Sequence, residues 1–332
     1  MCQPIGWPLE GELFMSLRAL RVAAGATMAL SIGLVTPMAV PVASATPAGA
    51  GPSLGITPAN ARDIGGYDGL FGSTVKTGLI FRSNAMAGLS VGDLAKITAA
   101  RISDIIDFRS PAEVAATPDT PVPGTTYTKR PIYDPSNDFY TVVNQIIGGG
   151  PAYQQQKLGN GGAQAMMVDS YRWFITDPTA RGQFAATFKE AATSTTPILY
   201  HCTSGKDRTG IMTAVLLTAL GTPKNEVYQD YLKSNANLAA TNQATINGLL
   251  SAHLITDGSL LEPLLGVESS YLDAAFDQIN KSFGSFDNFV KTGLGVDAAT
   301  LQALRTKMLN KPGNGGGGAF GSSAGNGLGF GS

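Results

Sequence analysis

The stretch Thr196–Gly210, "TPILYHCTSGKDRTG", joins a short apolar run to a loop of small and charged residues. Thr196–His201 is rich in apolar and aromatic residues and predicts a buried strand. An apolar helix is predicted over Thr209–Leu220, and it ends at the turn signal Gly221-Thr222-Pro223. Strand, loop and helix in this order are typical of an α/β protein that binds a ligand in the loop.

The loop between strand and helix, residues 202–208, has the composition of an anion site and is called the anion loop below. It lies before a helix, where free backbone N–H groups and the helix dipole favour negative charge. Its first part is small enough for the backbone to turn its N–H groups inward. Lys206 adds a compact positive charge, and Arg208 adds a guanidinium that can bind two oxygens. The loop residues predicted to bind substrate are Thr203, Ser204, Gly205, Lys206 and Thr209.

Cys202 opens the anion loop and is the candidate nucleophile. Charges and N–H groups that bind phosphate also stabilise a thiolate, and a thiolate beneath a bound phosphate is placed to attack phosphorus. His201 is predicted to orient the loop, and the Thr209 hydroxyl is predicted to stabilise the departing thiolate. Arg208 is the predicted phosphate clamp.

A carboxylic acid is needed to protonate the leaving oxygen. Asp207, inside the anion loop, is the first candidate, and Asp107 is the second. Asp169 and Asp177 remain alternatives. Asp207 could also serve as a helix N-cap, alone or in addition to the acid role.

Two further apolar runs, "TGLIFRS" (Thr77–Ser83) and "ISDIIDFRS" (Ile102–Ser110), predict strands that end in charged residues. Helices are predicted at Ser90–Ala100, Lys224–Asn235 and Tyr271–Lys281. The alternation predicts an α/β domain with a central, mostly parallel sheet flanked by helices and a site at the carboxyl ends of the strands. The supporting residues expected there are Arg62, Asp63, Arg82, Asp107, Arg109 and His201. A structural turn is the alternative for the Arg62-Asp63-Ile64-Gly65-Gly66 segment.

The loop "HCTSGKDRTG" resembles that of the secreted, mycobacterial-type PtpB phosphatases, a family of bacterial tyrosine phosphatases in the cysteine-dependent phosphatase superfamily. Other segments resemble the same family from about residue 56 to 310: "NARDIGGY" (Asn60–Tyr67), "IFRSNA" (Ile80–Ala85), "DFRSPAE" (Asp107–Glu113) and the C-terminal "VESSYLDAAFDQI…GSFDNFV…GLGV". The resemblance implies a phosphatase α/β domain with a helical lid. It also implies Cys202 as nucleophile, Arg208 as phosphate clamp, and Lys206 and Asp207 as the family's loop pair.

The chain divides into four segments by composition. Residues 1–45 are predicted as an N-terminal extension and signal peptide, with Arg18 and Arg21 before an apolar stretch and cleavage after Ala45. Residues 46–58 are a predicted linker, and residues 59–311 are the tyrosine phosphatase-like domain. Within it, residues 134–170 are a predicted lid or insertion, although the Gly- and Gln-rich part, 144–164, is unlike a stable helix. Residues 312–332 are a predicted disordered Gly-rich tail.

The charge, histidine and cysteine content restricts the ligands and partners that the protein can bind. The formal net charge of −1 gives no global basic field for nucleic acid. No membrane span is expected after signal cleavage, and the oligomeric state is left open. No metal or other cofactor is expected, because the chain has two histidines and no cluster with ligand spacing. Cys202 is the single cysteine of the predicted mature chain, so an internal disulfide is excluded there.

These features predict an exported phosphatase that hydrolyses phosphotyrosine, and also phosphoserine or phosphothreonine, through a phosphocysteine intermediate. It would be secreted or associated with the cell envelope. A phosphoinositide phosphatase with the same site is the main alternative, because Lys206 suits a multiply charged headgroup and Arg109 is a candidate partner for a second phosphate. A non-catalytic surface binding protein is the remaining alternative.

Overall fold

The computed structural model describes residues 51–311, so the predicted signal segment 1–45 and tail 312–332 lie outside the described residues. The strands are β1 (Arg62–Asp63), β2 (Ile80–Ser83), β3 (Asp104–Asp107), β4 (Thr126–Lys129) and β5 (Ile198–His201). The first six helices are α1 (Val91–Ala99), α2 (Pro111–Ala116), α3 (Phe139–Gly148), α4 (Gly150–Leu158), α5 (Gly162–Thr176) and α6 (Pro178–Thr193). The others are α7 (Arg208–Ala219), α8 (Lys224–Ser251), α9 (Glu262–Leu265), α10 (Ser269–Phe283), α11 (Phe286–Asn288) and α12 (Ala298–Met308).

The five strands form one mixed sheet in the order β1-β2-β5-β3-β4. β5 pairs in parallel with β2 on one side and with β3 on the other, and β4 extends the parallel part beyond β3. β1 alone is antiparallel to its neighbour. The register places Ser83 and Asp107 beside His201, so three strands end at one edge. This arrangement confirms the predicted α/β fold with a mostly parallel sheet.

The central strands are buried on both faces, because helices cover both sides of the sheet. Ile106, Ile198 and Tyr200 point into the larger core, which also contains buried apolar residues of α5 to α8. Ile105 and Leu199 point into a smaller core with Ile97 of α1. The near-continuous apolar strands seen in the sequence follow from this double burial.

Helix α7 runs back beneath the sheet edge directly after the anion loop. Every residue from Thr209 to Ala219 is buried, as expected for a helix that is apolar all round. No helix within residues 51–311 combines the length and apolar composition needed to cross a bilayer.

The Gly- and Gln-rich segment is helical, which corrects the expectation that it is unlike a stable helix. It forms α3 and α4, and glycines with positive φ at Gly150 and Gly161 separate α3, α4 and α5. The side chain of Gln154 is buried and donates to the carbonyl oxygens of Ile147 and Leu254, at 2.7 and 2.8 Å. Gln154 is therefore part of the packing.

Helix α8 extends to Ser251, well beyond the predicted end at Asn235. Its polar second half is supported by the chain that follows. Asn235 and Asn242 donate to the carbonyl oxygens of Val267 and Leu265, at 2.8 and 2.9 Å. Tertiary hydrogen bonds thus continue a helix whose propensity alone is weak.

Candidate active site

The anion loop turns sharply between β5 and α7, and Gly205 makes the turn possible. Gly205 has φ +64°, and a Cβ atom there would lie 2.2 Å from the Ser83 carbonyl oxygen at the end of β2. Among residues 51–311, no group accepts a hydrogen bond from the backbone N–H groups of residues 203–207. The loop therefore offers unused donors in front of a helix N-terminus, which is the arrangement that binds anions.

Cys202 lies at the base of this loop and is 1% exposed. It follows β5 directly and is the one cysteine among residues 51–311. The Thr209 hydroxyl is also buried and has no hydrogen-bond partner within the described part of the chain. The predicted bond from Thr209 to the thiolate is thus not formed in this state.

Arg208 forms a bidentate ion pair with Glu113. Its two terminal nitrogens lie 2.7 and 2.6 Å from the Glu113 carboxylate oxygens, and Nη1 also donates to the Phe108 carbonyl oxygen at 3.1 Å. The Thr203 hydroxyl donates to the same carboxylate at 2.6 Å. Burial would raise the pKa of Glu113, but the Arg208 charge and its hydrogen bonds outweigh that effect and hold the pKa at about 2. Glu113 is therefore an ionised anchor that fixes both ends of the loop.

The capping box of α2 explains why Glu113 points at the loop. Ser110 accepts from the Glu113 backbone N–H, and the Glu113 carboxylate accepts from the Ser110 N–H at 2.7 Å. One side chain thus completes a helix cap and binds Arg208.

Asp207 occupies the N-cap position of α7, but its side chain makes no capping hydrogen bond. Its Oδ1 accepts from the Tyr171 hydroxyl at 2.8 Å, and the Lys206 ammonium lies 3.0 Å from Oδ1 and 2.9 Å from Oδ2. Asp207 is partly exposed, whereas the Lys206 side chain is 3% exposed. The Asp207 carboxyl group is therefore accessible from solvent, unlike the Lys206 ammonium.

The other acid candidates lie in different surroundings. Asp107 is buried and bound by Arg109, and its pKa is about 2 because the His201 and Arg109 charges outweigh the effect of burial. Asp169 forms an exposed pair with Arg172. Asp177 accepts from the Ala180 N–H as the N-cap of α6.

His201 and Arg109 belong to a buried charge cluster behind Cys202. His201 Nε2 lies 3.1 Å from Asp119 Oδ2, and its Nδ1 lies 3.9 Å from Asp107 Oδ1. Arg109 Nη2 lies 2.8 Å from a carboxylate oxygen of each aspartate. Arg109 is thus buried between two carboxylates and is not free for a second phosphate, which corrects that expectation.

Asp107, Asp119 and His201 are close enough together to be considered as metal ligands. The Arg109 guanidinium contacts both carboxylates, so a cation already lies beside the two acidic donors. This donor set therefore does not fit a metal ion.

A second buried network supports the loop from the side of β1 and β2. Arg82 donates to the Gly205 carbonyl oxygen at 2.7 Å and to Asp230 of α8 at 2.5 Å. Arg62 binds the other Asp230 oxygen at 2.9 Å. The Asn60 amide donates to the carbonyl oxygens of Ser204 and Gly205. Arg62 and Arg82 therefore lie behind the loop.

Asp63 has a different position. Its carboxylate accepts from the backbone N–H groups of Gly65 and Gly78, so it organises the turn that joins β1 to β2. Burial raises its pKa, although these backbone hydrogen bonds oppose the shift. The position of Asp63 fits the alternative interpretation of the Arg62–Gly66 segment as a structural turn.

Several residues that contact the site were not predicted from the sequence. These residues are Asn60, Glu113, Asp119, Tyr171 and Asp230. Glu113 could have been found, because Ser110-Pro-Ala-Glu113 is a capping-box pattern directly after the β3 segment. The contacts of Asp230 and Tyr171 depend on helices that are distant in the chain, and no local pattern marks them.

Known proteins match most of this domain. The profile of the tyrosine phosphatase family matches residues 57–310. A candidate tyrosine-protein phosphatase of Cupriavidus necator is 32% identical over 248 residues, which cover 74% of this chain and 85% of that protein. The triple specificity protein phosphatase PtpB of Mycobacterium tuberculosis is 28% identical over 260 residues, 71% of this chain and 93% of its own length. A tyrosine-protein phosphatase of Nostoc commune is 46% identical over 50 residues, 15% of this chain and 17% of that protein.

Proposed function

We propose that this chain, a protein phosphatase that belongs to the tyrosine phosphatase family, hydrolyses phosphotyrosine. The reaction passes through a phosphocysteine intermediate on Cys202. The observation that carries the proposal is the anion loop itself. It combines a buried thiol, unused backbone donors and an arginine fixed by Glu113.

In the first step the Cys202 thiolate attacks phosphorus from the base of the loop. The S–P bond forms while the P–O bond to the leaving group breaks, and the leaving oxygen takes a proton from Asp207. Arg208 and the backbone N–H groups bind the phosphoryl oxygens and stabilise the charge that develops on them. The short contacts to Glu113 hold the guanidinium before substrate arrives, so little reorganisation is needed.

In the second step water attacks the phosphocysteine. Asp207, now a carboxylate, takes the proton from that water, the S–P bond breaks, and the thiolate and inorganic phosphate are released. The Thr209 hydroxyl, buried without a partner among residues 51–311, is the proposed donor to the departing thiolate.

We propose that the enzyme also acts on phosphoserine and phosphothreonine.

We propose further that the protein is exported from the cell. Export is supported by the basic start, apolar stretch and Ala43-Ser44-Ala45 site within residues 15–45. Sequencing the N-terminus of protein collected from culture medium tests it, and Thr46 is the expected first residue.

A phosphoinositide is the second candidate substrate, favoured by Lys206 as an additional cation beside Arg208. Arg109 does not add to this candidate, because Asp107 and Asp119 already bind it.

Phosphate release by the purified full chain under reducing conditions tests the proposed function. The substrates are a phosphotyrosine peptide, a phosphoserine peptide and a short-chain phosphoinositide, with Cys202→Ser as the control. We expect release that depends on Cys202 and is fastest with phosphotyrosine. Faster release from the phosphoinositide would favour the lipid substrate. No release from any substrate would favour a binding protein.

A further inference from the structure

Two buried tyrosines form a hydrogen-bonded chain that ends on Asp207. The Tyr171 hydroxyl, on α5, donates to Asp207 Oδ1 at 2.8 Å. The hydroxyl oxygens of Tyr171 and Tyr231, the latter on α8, lie 2.7 Å apart. Both side chains are fully buried, and neither belongs to the anion loop.

The direction of this chain follows from the protons available. Burial, with the Asp207 charge adding to it, raises the pKa of Tyr171 and of Tyr231 well above 10, so both hydroxyls keep their protons at neutral pH. Tyr171 has one proton and gives it to Asp207. Tyr231 must therefore donate to Tyr171. The two neighbouring hydroxyls thus differ in role, because only that of Tyr171 donates to Asp207.

Asp207 has a second partner, Lys206, whose ammonium lies 2.9 Å from Oδ2. An incoming phosphate attracts Lys206 because it brings negative charge into the same loop. Tyr171 carries no charge, and its ring packs against Phe174, Tyr231 and Tyr271 at centroid distances of 5.6 to 6.2 Å. Neither its charge nor its packing gives Tyr171 a reason to leave Asp207 when phosphate binds.

We propose that Tyr171 is the positioning residue for the general acid Asp207, an inference that rests on the proposed function. Its hydroxyl holds Oδ1, so the proton to be transferred is carried by Oδ2. As the P–O bond breaks, the leaving oxygen takes the bonding electrons and receives this proton. The Asp207 carboxylate that remains keeps the hydrogen bond from Tyr171, which is stronger to an ion than to a neutral acid.

Two matched variants, Tyr171→Phe and Tyr231→Phe, test the proposal. Each removes one hydroxyl oxygen from the same buried cluster, so a loss caused by packing affects both. We compare kcat/KM, which reports the step that breaks the P–O bond, for p-nitrophenyl phosphate and for phenyl phosphate, whose leaving group needs protonation more. Tyr171→Phe is expected to lower kcat/KM for phenyl phosphate about tenfold more than for p-nitrophenyl phosphate. Tyr231→Phe is expected to leave the ratio of the two substrates within about twofold of wild type.

The same comparison in an Asp207→Asn background shows whether Tyr171 acts through Asp207. There, adding Tyr171→Phe is expected to leave the substrate ratio unchanged. An equal loss on both substrates in Tyr171→Phe, or the same change of ratio in Tyr231→Phe, would overturn the proposal while leaving the phosphatase active. A wild-type chain that releases no phosphate would overturn the proposed function itself, and this inference with it.

Discussion

A single carboxylate, Glu113, connects the helix cap of α2 to the phosphate clamp. It accepts from Arg208 through both oxygens, from Thr203 and from the Ser110 backbone N–H. Hydrogen bonds to a buried charge are among the stronger ones in proteins. Glu113 is therefore the charged partner that orients the guanidinium from outside the loop.

Glu113→Gln should lower kcat/KM for a phosphotyrosine peptide by about a hundredfold. The neutral amide keeps the size of the side chain but no longer fixes the guanidinium by charge, so phosphate is bound in a poorer geometry. Steady-state kinetics and the inhibition constant of inorganic phosphate measure the effect. Glu262→Gln, at an exposed carboxylate on α9, is the control, and an equal loss in both variants would contradict the role of Glu113.

The low pKa of Glu113 also links stability to pH. Its ordinary value is 4.5 and its value in the folded chain is about 2. A depressed pKa stabilises the fold above pH 4.5, and this contribution is lost as the pH falls through 4.5 towards 2. The difference in unfolding free energy between wild type and Glu113→Gln should therefore be constant from pH 7 to about 5 and shrink below that. Urea unfolding at several pH values measures it, and a constant difference down to pH 3 would refute the linkage.

At the scale of elements, Asp230 ties helix α8 to strands β1 and β2. Its carboxylate binds Arg62 and Arg82, and all three side chains are at most 4% exposed. Arg82 in turn binds the Gly205 carbonyl oxygen. The Asp230 carboxylate thus offsets part of the buried arginine charge, and Arg82 holds the back of the anion loop.

Asp230→Asn should lower the free energy of unfolding by about 3 kcal/mol, because it leaves two buried arginines without their counter-charge. Asp169→Asn, which removes an exposed pair with Arg172, should change it by less than about 0.5 kcal/mol. Urea unfolding of the two variants and wild type gives both values. Similar losses in the two variants would show that the buried network does not stabilise the fold.

The strands were easier to predict from the sequence than the helices. The apolar runs before Ser83, Asp107 and Cys202 were found because buried parallel strands are apolar throughout. The composition of residues 144–164 argued against a helix, since its glycines separate helices and its Gln154 donates to backbone carbonyls that local patterns do not reveal. The length of α8 was missed because contacts with residues near 265 support it.

At the scale of the whole molecule, one sheet edge brings distant parts of the chain to Cys202. β2, β3 and β5 end side by side, and α2, α5 and α8 add Glu113, Tyr171 and Asp230 around the loop. The loop residues were predictable because they are contiguous in the sequence. Their supporting partners were not, because helix packing places them there.

The proposed mechanism passes through a covalent phosphate on Cys202, and acid quenching during turnover tests this directly. The full chain is mixed with excess p-nitrophenyl phosphate, quenched in acid within the first turnovers, digested and analysed by mass spectrometry. We expect the peptide that contains Cys202 to carry one phosphoryl group, and the matching Cys202→Ser digest to carry none. Phosphate on another residue, or an active enzyme with no phosphorylated Cys202 at any quench time, would contradict the account.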